Sequence, residues 1–271
     1  MHLLSIELFG QSLFVCDFPK LKGIRGLGMS DKECYARILA DKFDYTNTFY
    51  DCEPRFDFAE PHDSLHGSYD FILSADVLEH IERPIENALF ETYSLLKPCG
   101  FFGVTVYCNP SDTMREHFPG LNEYRVVPLG DSQVLINRRT DGVLEIRDDL
   151  IFHGGTGATL EMREFGITAL RARLCQAGFR DIELLVENVP SIGILFDSDV
   201  SQPLIARKEP YVMDACVRAQ LVREWRREQE RVEQLTEQLA DARERVELAR
   251  QSRWLRLGRM LGRGPDLDSK P

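Results

Sequence analysis

The apolar positions of this chain change their period several times, and each change marks an element. "LLSIELFG" (3–10) is a short apolar stretch closed by glycine and reads as a helix. "GIRGLGMSD" (23–31) reads as a strand that breaks in a Gly-x-Gly turn, after which Ser30 and Asp31 are placed to cap a helix over "KECYARILADKF". "YTNTFYD" (45–51) has β composition. "YDFILSA" (69–75) and "FFGVTVY" (101–107) are continuous apolar runs, the mark of strands buried on both faces. Between them, "RPIENALFETYSLLK" puts Ile85, Ala88, Leu89, Thr92, Leu95 and Leu96 on one helical face, with Pro84 near its start. This strand–helix–strand order predicts an α/β fold with a parallel sheet and right-handed crossovers.

The pattern shifts over 108–165. "YRVVPLG", "SQVLINRRT" and "GVLEIRDDLIF" read as successive strands of an inserted β-hairpin region, with Asp141-Gly142 as the turn between the last two. "ITALRARLCQAGF" (167–179) returns to helix with Gly178 as its stop, and "DIELLVE" and "PLIARKE" close the domain as strands. Trp225, Val232, Leu239 and Val246 then repeat every seven positions. Leu221, Leu235, Ala242 and Ala249 form a companion series interrupted by Glu228. No Gly or Pro occurs from 211 to 257, so the segment reads as a coiled-coil helix of about four heptads, roughly 45 Å long. The expected organisation is a domain over 1–210, a coiled-coil helix over 211–252 and a basic amphipathic tail over 253–271.

Charge is unevenly distributed. The formal net charge is -11, yet residues 211–271 carry 13 basic and 11 acidic residues, so the excess acid lies in 1–210. An acidic domain argues against nucleic acid as a partner, because phosphate binding needs basic surface. The 7 cysteines are scattered and never form Cys-x-x-Cys, which predicts reduced thiols in a cytoplasmic protein. "MHLLSIELFG" is too short and too acidic for a signal peptide, and no apolar run approaches the ~20 residues that span a bilayer.

The chemistry concentrates where "SADVLEH" ends a buried strand, since open parallel sheets bind ligands at the carboxyl ends of their strands. "YDFILSADVLEHIERPIENALFETYSLLKPCGFFGVTV" resembles the fourth and fifth strands of class I S-adenosylmethionine-dependent methyltransferases: an aspartate-bearing strand, Val-Leu-Glu-His, a helix with an acidic face, Leu-Lys-Pro-Gly-Gly and a strand. The resemblance runs, less densely, from Ile24 to Glu209, and implies a Rossmann-like sheet that binds S-adenosyl-L-methionine. Carried onto this sequence, it puts Gly26 and Gly28 in the glycine-rich turn, with the next helix N-terminus meeting the methionine carboxylate. The acidic residue for the ribose is Asp51 or Glu53, with Glu53 preferred. Asp57 falls at the position that reads the adenine amino group, and Ala75, Asp76 and Val77 close over the cofactor. Two departures stand out: the glycine turn lacks its third small residue, and Cys99 replaces the first Gly after Lys-Pro.

Methyl transfer to a hydroxyl calls for a general base from loops above the strand ends. His153 comes first, since it precedes Gly154-Gly155 and has acidic neighbours Asp148, Asp149 and Glu161; His117 and His80 follow. The alternatives are a hairpin-end histidine bonded to backbone for His153, helix capping for Asp76, Glu79 and His80, and turn capping for Asp57. No metal-ligand spacing is visible. "HGGTGATLEMR" and "REHFPGLNEYR" resemble a methyltransferase subgroup associated with bacterial surface-glycan pathways, which implies a small-molecule or saccharide acceptor.

"SRWLRLGRMLGRG" (252–264) mixes Trp and Leu with Arg and fits peripheral contact with the inner membrane face, while 221–249 fits a homo-oligomer. The competing reading is a non-catalytic methyltransferase-like scaffold that assembles partners through the coiled coil. A nicotinamide oxidoreductase fits worst, because the full Gly-x-Gly-x-x-Gly fingerprint is missing.

Overall fold

The computed structural model describes residues 1–251 apart from 83, 110, 131, 154–158 and 197–200. The expected amphipathic tail therefore lies outside the described residues. The chain divides into two units, the first Met1–Val217 and the second beginning at Arg218.

The elements in chain order are α1 (His2–Phe9), β1 (Arg25–Met29), α2 (Glu33–Lys42), β2 (Asp44–Thr48), β3 (Tyr69–Ala75), α3 (Ile85–Leu95) and β4 (Leu96–Thr105). Then come β5 (Cys108–Asn109), β6 (Arg115–Glu116), β7 (Glu123–Leu129), β8 (Ser132–Arg138), β9 (Leu144–Arg147), β10 (Phe152–His153), β11 (Thr159–Leu160) and β12 (Arg163–Gly166). The remainder are α4 (Ile167–Ala177), β13 (Asp181–Leu184), β14 (Leu204–Arg207) and α5 (Ala215–Gln251).

A 6-stranded sheet of order β13-β14-β4-β3-β1-β2 forms the centre. β1, β2, β3 and β4 pair in parallel, and β14 joins β4 and β13 antiparallel. The apolar run of β3 sits centrally, with Phe71 and Ile72 at 0% exposure, as a strand covered on both faces must. The two strands of the methyltransferase-like motif are the third and fourth here rather than the fourth and fifth. The connection from β2 to β3 adds only an isolated bridge, Phe49 to Arg55, and a short 3₁₀ turn, so it places no strand in the sheet.

One face of the sheet packs against α3 and α4 through Leu27, Ile72, Leu89, Phe102, Leu170 and Phe179. The expected stripe of α3 is buried in full. On another part of the core, Phe43, Phe71 and Phe101 pack in a chain of rings, with Phe71 centred 5.7 Å from Phe43 and 6.0 Å from Phe101. Here the glycines of β1 find their use. A Cβ at Gly26 would fall on the Phe71 ring, and one at Gly28 on the Tyr45 hydroxyl. The expected Gly-x-Gly turn is thus corrected: both residues lie inside the strand, where missing side chains make room for aromatics. α1 is tied to β14 by Arg207, which donates to Glu7 Oε1 and Oε2 at 2.7 and 2.6 Å in a nearly buried ion pair.

Residues 123–147 form a three-stranded antiparallel sheet β7-β8-β9, with Gly142 at φ 84 in its second turn and the Asp141 carboxylate accepting from the Val143 amide. α5 runs for 37 residues, and Trp225, Val232, Leu235 and Leu239 along it are more than half exposed.

Candidate functional site

The chain leaves β1 toward β2 on one side and returns to β3 on the other, so the topological switch lies between the carboxyl ends of β1 and β3. Among the described residues, Ser30 (φ 53) and Asp76 (φ 55) are the non-glycine residues with positive φ. They stand just beyond those two strand ends. A left-handed conformation costs a side-chain-bearing residue about 1 kcal/mol or more, and such strain gathers at ligand sites.

The β1 turn is built differently from the expectation. α2 begins at Glu33 after Lys32, and neither Ser30 nor Asp31 caps it. The amide of Ser30 instead donates to the Thr48 carbonyl. Asp31 is buried and its carboxylate accepts from the hydroxyls of Tyr35 (2.8 Å) and Tyr45. Burial raises the Asp31 pKa, and the two hydroxyl bonds oppose that rise. The first amides of α2 thus have no side-chain acceptor from their own turn.

Of the other expected cofactor residues, Glu53 is exposed and its carboxylate accepts from the Arg55 amide, 3.1 Å away, in the turn that follows β2. Asp57 is half-buried and accepts from the Ala59 amide at 2.8 Å, the turn cap that is its alternative reading. Ala75 ends β3, Asp76 donates its amide to the Thr105 carbonyl, and Val77 is half-buried.

Beside Asp76 the three candidate histidines converge, although His80 and His117 lie far from His153 in sequence. β10 and β11 pair antiparallel and bring His153 opposite Thr159. Nε2 of His153 lies 2.5 Å from Oε2 of Glu161, and Nε2 of His117 lies 2.7 Å from Oε1 of the same carboxylate. Glu161 is 5% exposed and is shared by both rings. The Arg115 guanidinium donates to Nδ1 of His117 at 3.3 Å, so both nitrogens of that buried ring are engaged. His80 sets its Nδ1 2.9 Å from the Leu160 carbonyl, and its ring meets that of His153 edge-on at 4.9 Å between centroids.

Arg163 locks this assembly. It is 2% exposed, donates to the carbonyls of Leu78 (3.0 Å) and Ile81 (2.7 Å), and pairs with Glu116 at 2.8 Å. The Met162 amide donates to the Glu79 carbonyl. The strand entering β12 is therefore sewn to the turn that follows β3. In the sequence Glu161 reads only as an acidic neighbour of His153, and Arg163 carries no signal of its own. The available signal was His153 and Glu161 flanking a glycine-rich run, the composition of a hairpin that returns one to the other.

Burial sets the electrostatics. Glu79 is 1% exposed, and desolvation pushes its carboxyl up to about 7. Asp76 is raised for the same cause, with Lys32, His153 and His80 opposing. His80 is lowered by burial, and its bond to Leu160 opposes that fall. The sequence shows no metal-ligand spacing, but the fold brings potential ligand atoms together. One ligand atom from each of Glu79, His80 and His153 lies within 4.8 Å of the others, as does one from each of His117, Glu161 and Glu164. Neither group has local ligand spacing: the β10–β11 pairing and the Arg163 bonds to the turn after β3 assemble the first, and the β6–β12 pairing assembles the second.

No family model matches the chain, and no curated protein matches it in sequence. Among solved structures it is similar to a putative S-adenosylmethionine dependent methyltransferase from Listeria monocytogenes, at 12% identity over 71% of this chain and 94% of that one, with TM-score 0.44. It is similar to Burkholderia thailandensis 1,6-didemethyltoxoflavin-N1-methyltransferase, determined with 1,6-didemethyltoxoflavin and S-adenosylhomocysteine bound, at 17% identity over 70% and 72% with TM-score 0.38. The CMeT domain of the citrinin polyketide synthase matches at 13% identity over 69% of this chain with TM-score 0.40, and this chain spans 46% of that one.

Proposed function

We propose that this chain is an S-adenosyl-L-methionine-dependent methyltransferase that methylates an oxygen of a small hydroxylated acceptor, a saccharide or glycan-pathway intermediate. The observation that carries the reading is the pair of left-handed turns at Ser30 and Asp76 on the two sides of the switch point, with the histidine cluster beside the second. The turn chemistry fits the cofactor. The amides at the start of α2 suit a carboxylate, Lys32 adds positive charge there, and Asp57, Ala75, Asp76 and Val77 offer the remaining contacts. Gly26 and Gly28 make room inside β1 for Phe71 and Tyr45 rather than forming a glycine turn. When bound, the cofactor supplies an activated methyl group; the protein contributes alignment and a place for the acceptor proton.

His80 and His153 are the groups that meet the acceptor hydroxyl. His153 is about a third exposed and is oriented by Glu161, whereas His117 is committed on both nitrogens and positions Glu161. The test is transfer of a labelled methyl group from the cofactor to a panel of hydroxylated sugars and phenols. A labelled product is expected with at least one oxygen acceptor. Labelling of amines alone would overturn the oxygen assignment.

The exposed heptad series supports a homo-oligomer through 221–249, for which sedimentation of the full chain is expected to give a dimer or trimer; a monomer at micromolar concentration would contradict it. Among the described residues no helix is long and apolar enough to cross a membrane. A cytoplasmic protein with the 252–264 segment resting on the inner membrane face accords with this reading, and an acidic domain does not suit nucleic acid.

A further inference from the structure

We propose that Glu79, His80 and His153 bind a divalent transition-metal ion, with Asp76 beside them. Three observations converge. One ligand atom from each of the three residues falls within 4.8 Å of the others, close enough to share one ion. Both carboxylate oxygens of Glu79 are buried without a hydrogen-bond partner, in a residue that is 1% exposed. A buried carboxylate in that condition is costly unless something cationic answers it. No Lys or Arg ion pair of Glu79 occurs among the described residues; its own backbone amide and His153 favour the charged carboxylate, and Asp76 and Glu161 oppose it.

The outer contacts are those of imidazoles held for a metal. Nδ1 of His80 donates to the Leu160 carbonyl, which leaves Nε2 with the free lone pair. His153 rests on Glu161, whose second oxygen is held by His117, so a carboxylate buttresses a candidate ligand. The neighbouring group of His117, Glu161 and Glu164 is the poorer site, because Arg115 and Glu161 already occupy both nitrogens of His117. Two imidazoles with a carboxylate suit Mn²⁺, Co²⁺ or Zn²⁺ better than Mg²⁺ or Ca²⁺.

With the ion bound, His80 and His153 act on the acceptor hydroxyl through the metal, which holds it and lowers its pKa, rather than by direct contact; that role rests on the methyltransferase reading, whereas the site itself does not.

The experiment uses the full chain, freed of metal by chelator, without cofactor, and titrated with Co²⁺, Mn²⁺ or Zn²⁺ alone. Calorimetry is expected to give one ion at the site, and Co²⁺ a visible absorption band from nitrogen and oxygen ligands. His80→Ala and His153→Ala should each weaken binding by about 100-fold, and His117→Ala by about 10-fold, since outer-shell losses are smaller. Circular dichroism confirms that the variants are folded. If His80→Ala unfolds, pulsed electron paramagnetic resonance of wild type with Mn²⁺ decides: imidazole nitrogen couplings support the site and their absence overturns it. No uptake by folded wild type, or uptake undiminished in both histidine variants, also overturns it. Because no cofactor is present, these failures are distinct from a failure of methyl transfer.

Discussion

Arg163→Ala is expected to lower the unfolding free energy by about 3 kcal/mol or more, since each buried hydrogen bond to a charged group contributes about 1.5–3 kcal/mol. The guanidinium ties two carbonyls of the turn after β3, Leu78 and Ile81, to Glu116 of β6, from a position at the start of β12. Truncation strands one buried and one part-buried carbonyl and opens a void where a 2%-exposed side chain had been. Arg163→Lys should recover less than half of the loss, because one ammonium cannot span partners that the planar fork reaches together. Urea unfolding of the full chain measures the effect. A loss below about 1 kcal/mol, the value of an ordinary surface pair, would mean that the clamp does not hold the turn.

Glu161→Gln is expected to reduce methyl transfer by about 100-fold or more, the scale on which a misoriented acid–base imidazole loses rate. The carboxylate accepts from His153 and His117 at once, and an amide offers one acceptor oxygen in place of two. His153 would lose its orientation while the turns at Ser30 and Asp76 remain untouched. The fall should therefore appear in kcat, with the KM for the cofactor within about threefold of wild type, and the pH–rate profile should shift. Glu161→Asp, which keeps both oxygens, should recover part of the rate. Equal rates for wild type and Glu161→Gln would remove His153 and Glu161 from the chemistry.

The sheet was legible in the sequence wherever burial alone dictates residue type. "YDFILSA" is β3 to the residue, because a strand covered on both faces must be apolar throughout. The turn of Asp141 and Gly142, the helix stop at Gly178 and the stripe of α3 were legible for equally local reasons. β4 begins earlier than its apolar run suggests, at Leu96, because Lys97 and Pro98 enter the sheet directly from α3. Gly26 and Gly28 misled for a physical reason. Glycine serves a tight turn and a close approach of side chains equally well, and only tertiary structure reveals that Phe71 and Tyr45 occupy the space. The site was legible in part. The strand end at Asp76 and the three histidines carry a signal in composition, but the sharing of Glu161 and the isolation of the Glu79 carboxylate depend on how β10–β12 dock against the turn. No periodicity encodes a contact between Leu78 and Arg163.

The most direct test of the central claim is calorimetric titration of the full chain with S-adenosylmethionine and S-adenosylhomocysteine, with Asp57→Ala and Asp76→Ala alongside. The methyltransferase reading predicts micromolar binding of both compounds and a loss of about tenfold or more in each variant, since each removes a contact to the cofactor. A folded chain that binds neither compound would contradict it, and would mark the domain as a scaffold whose Ser30–Asp31 turn and Tyr45 contacts have closed the cofactor crevice.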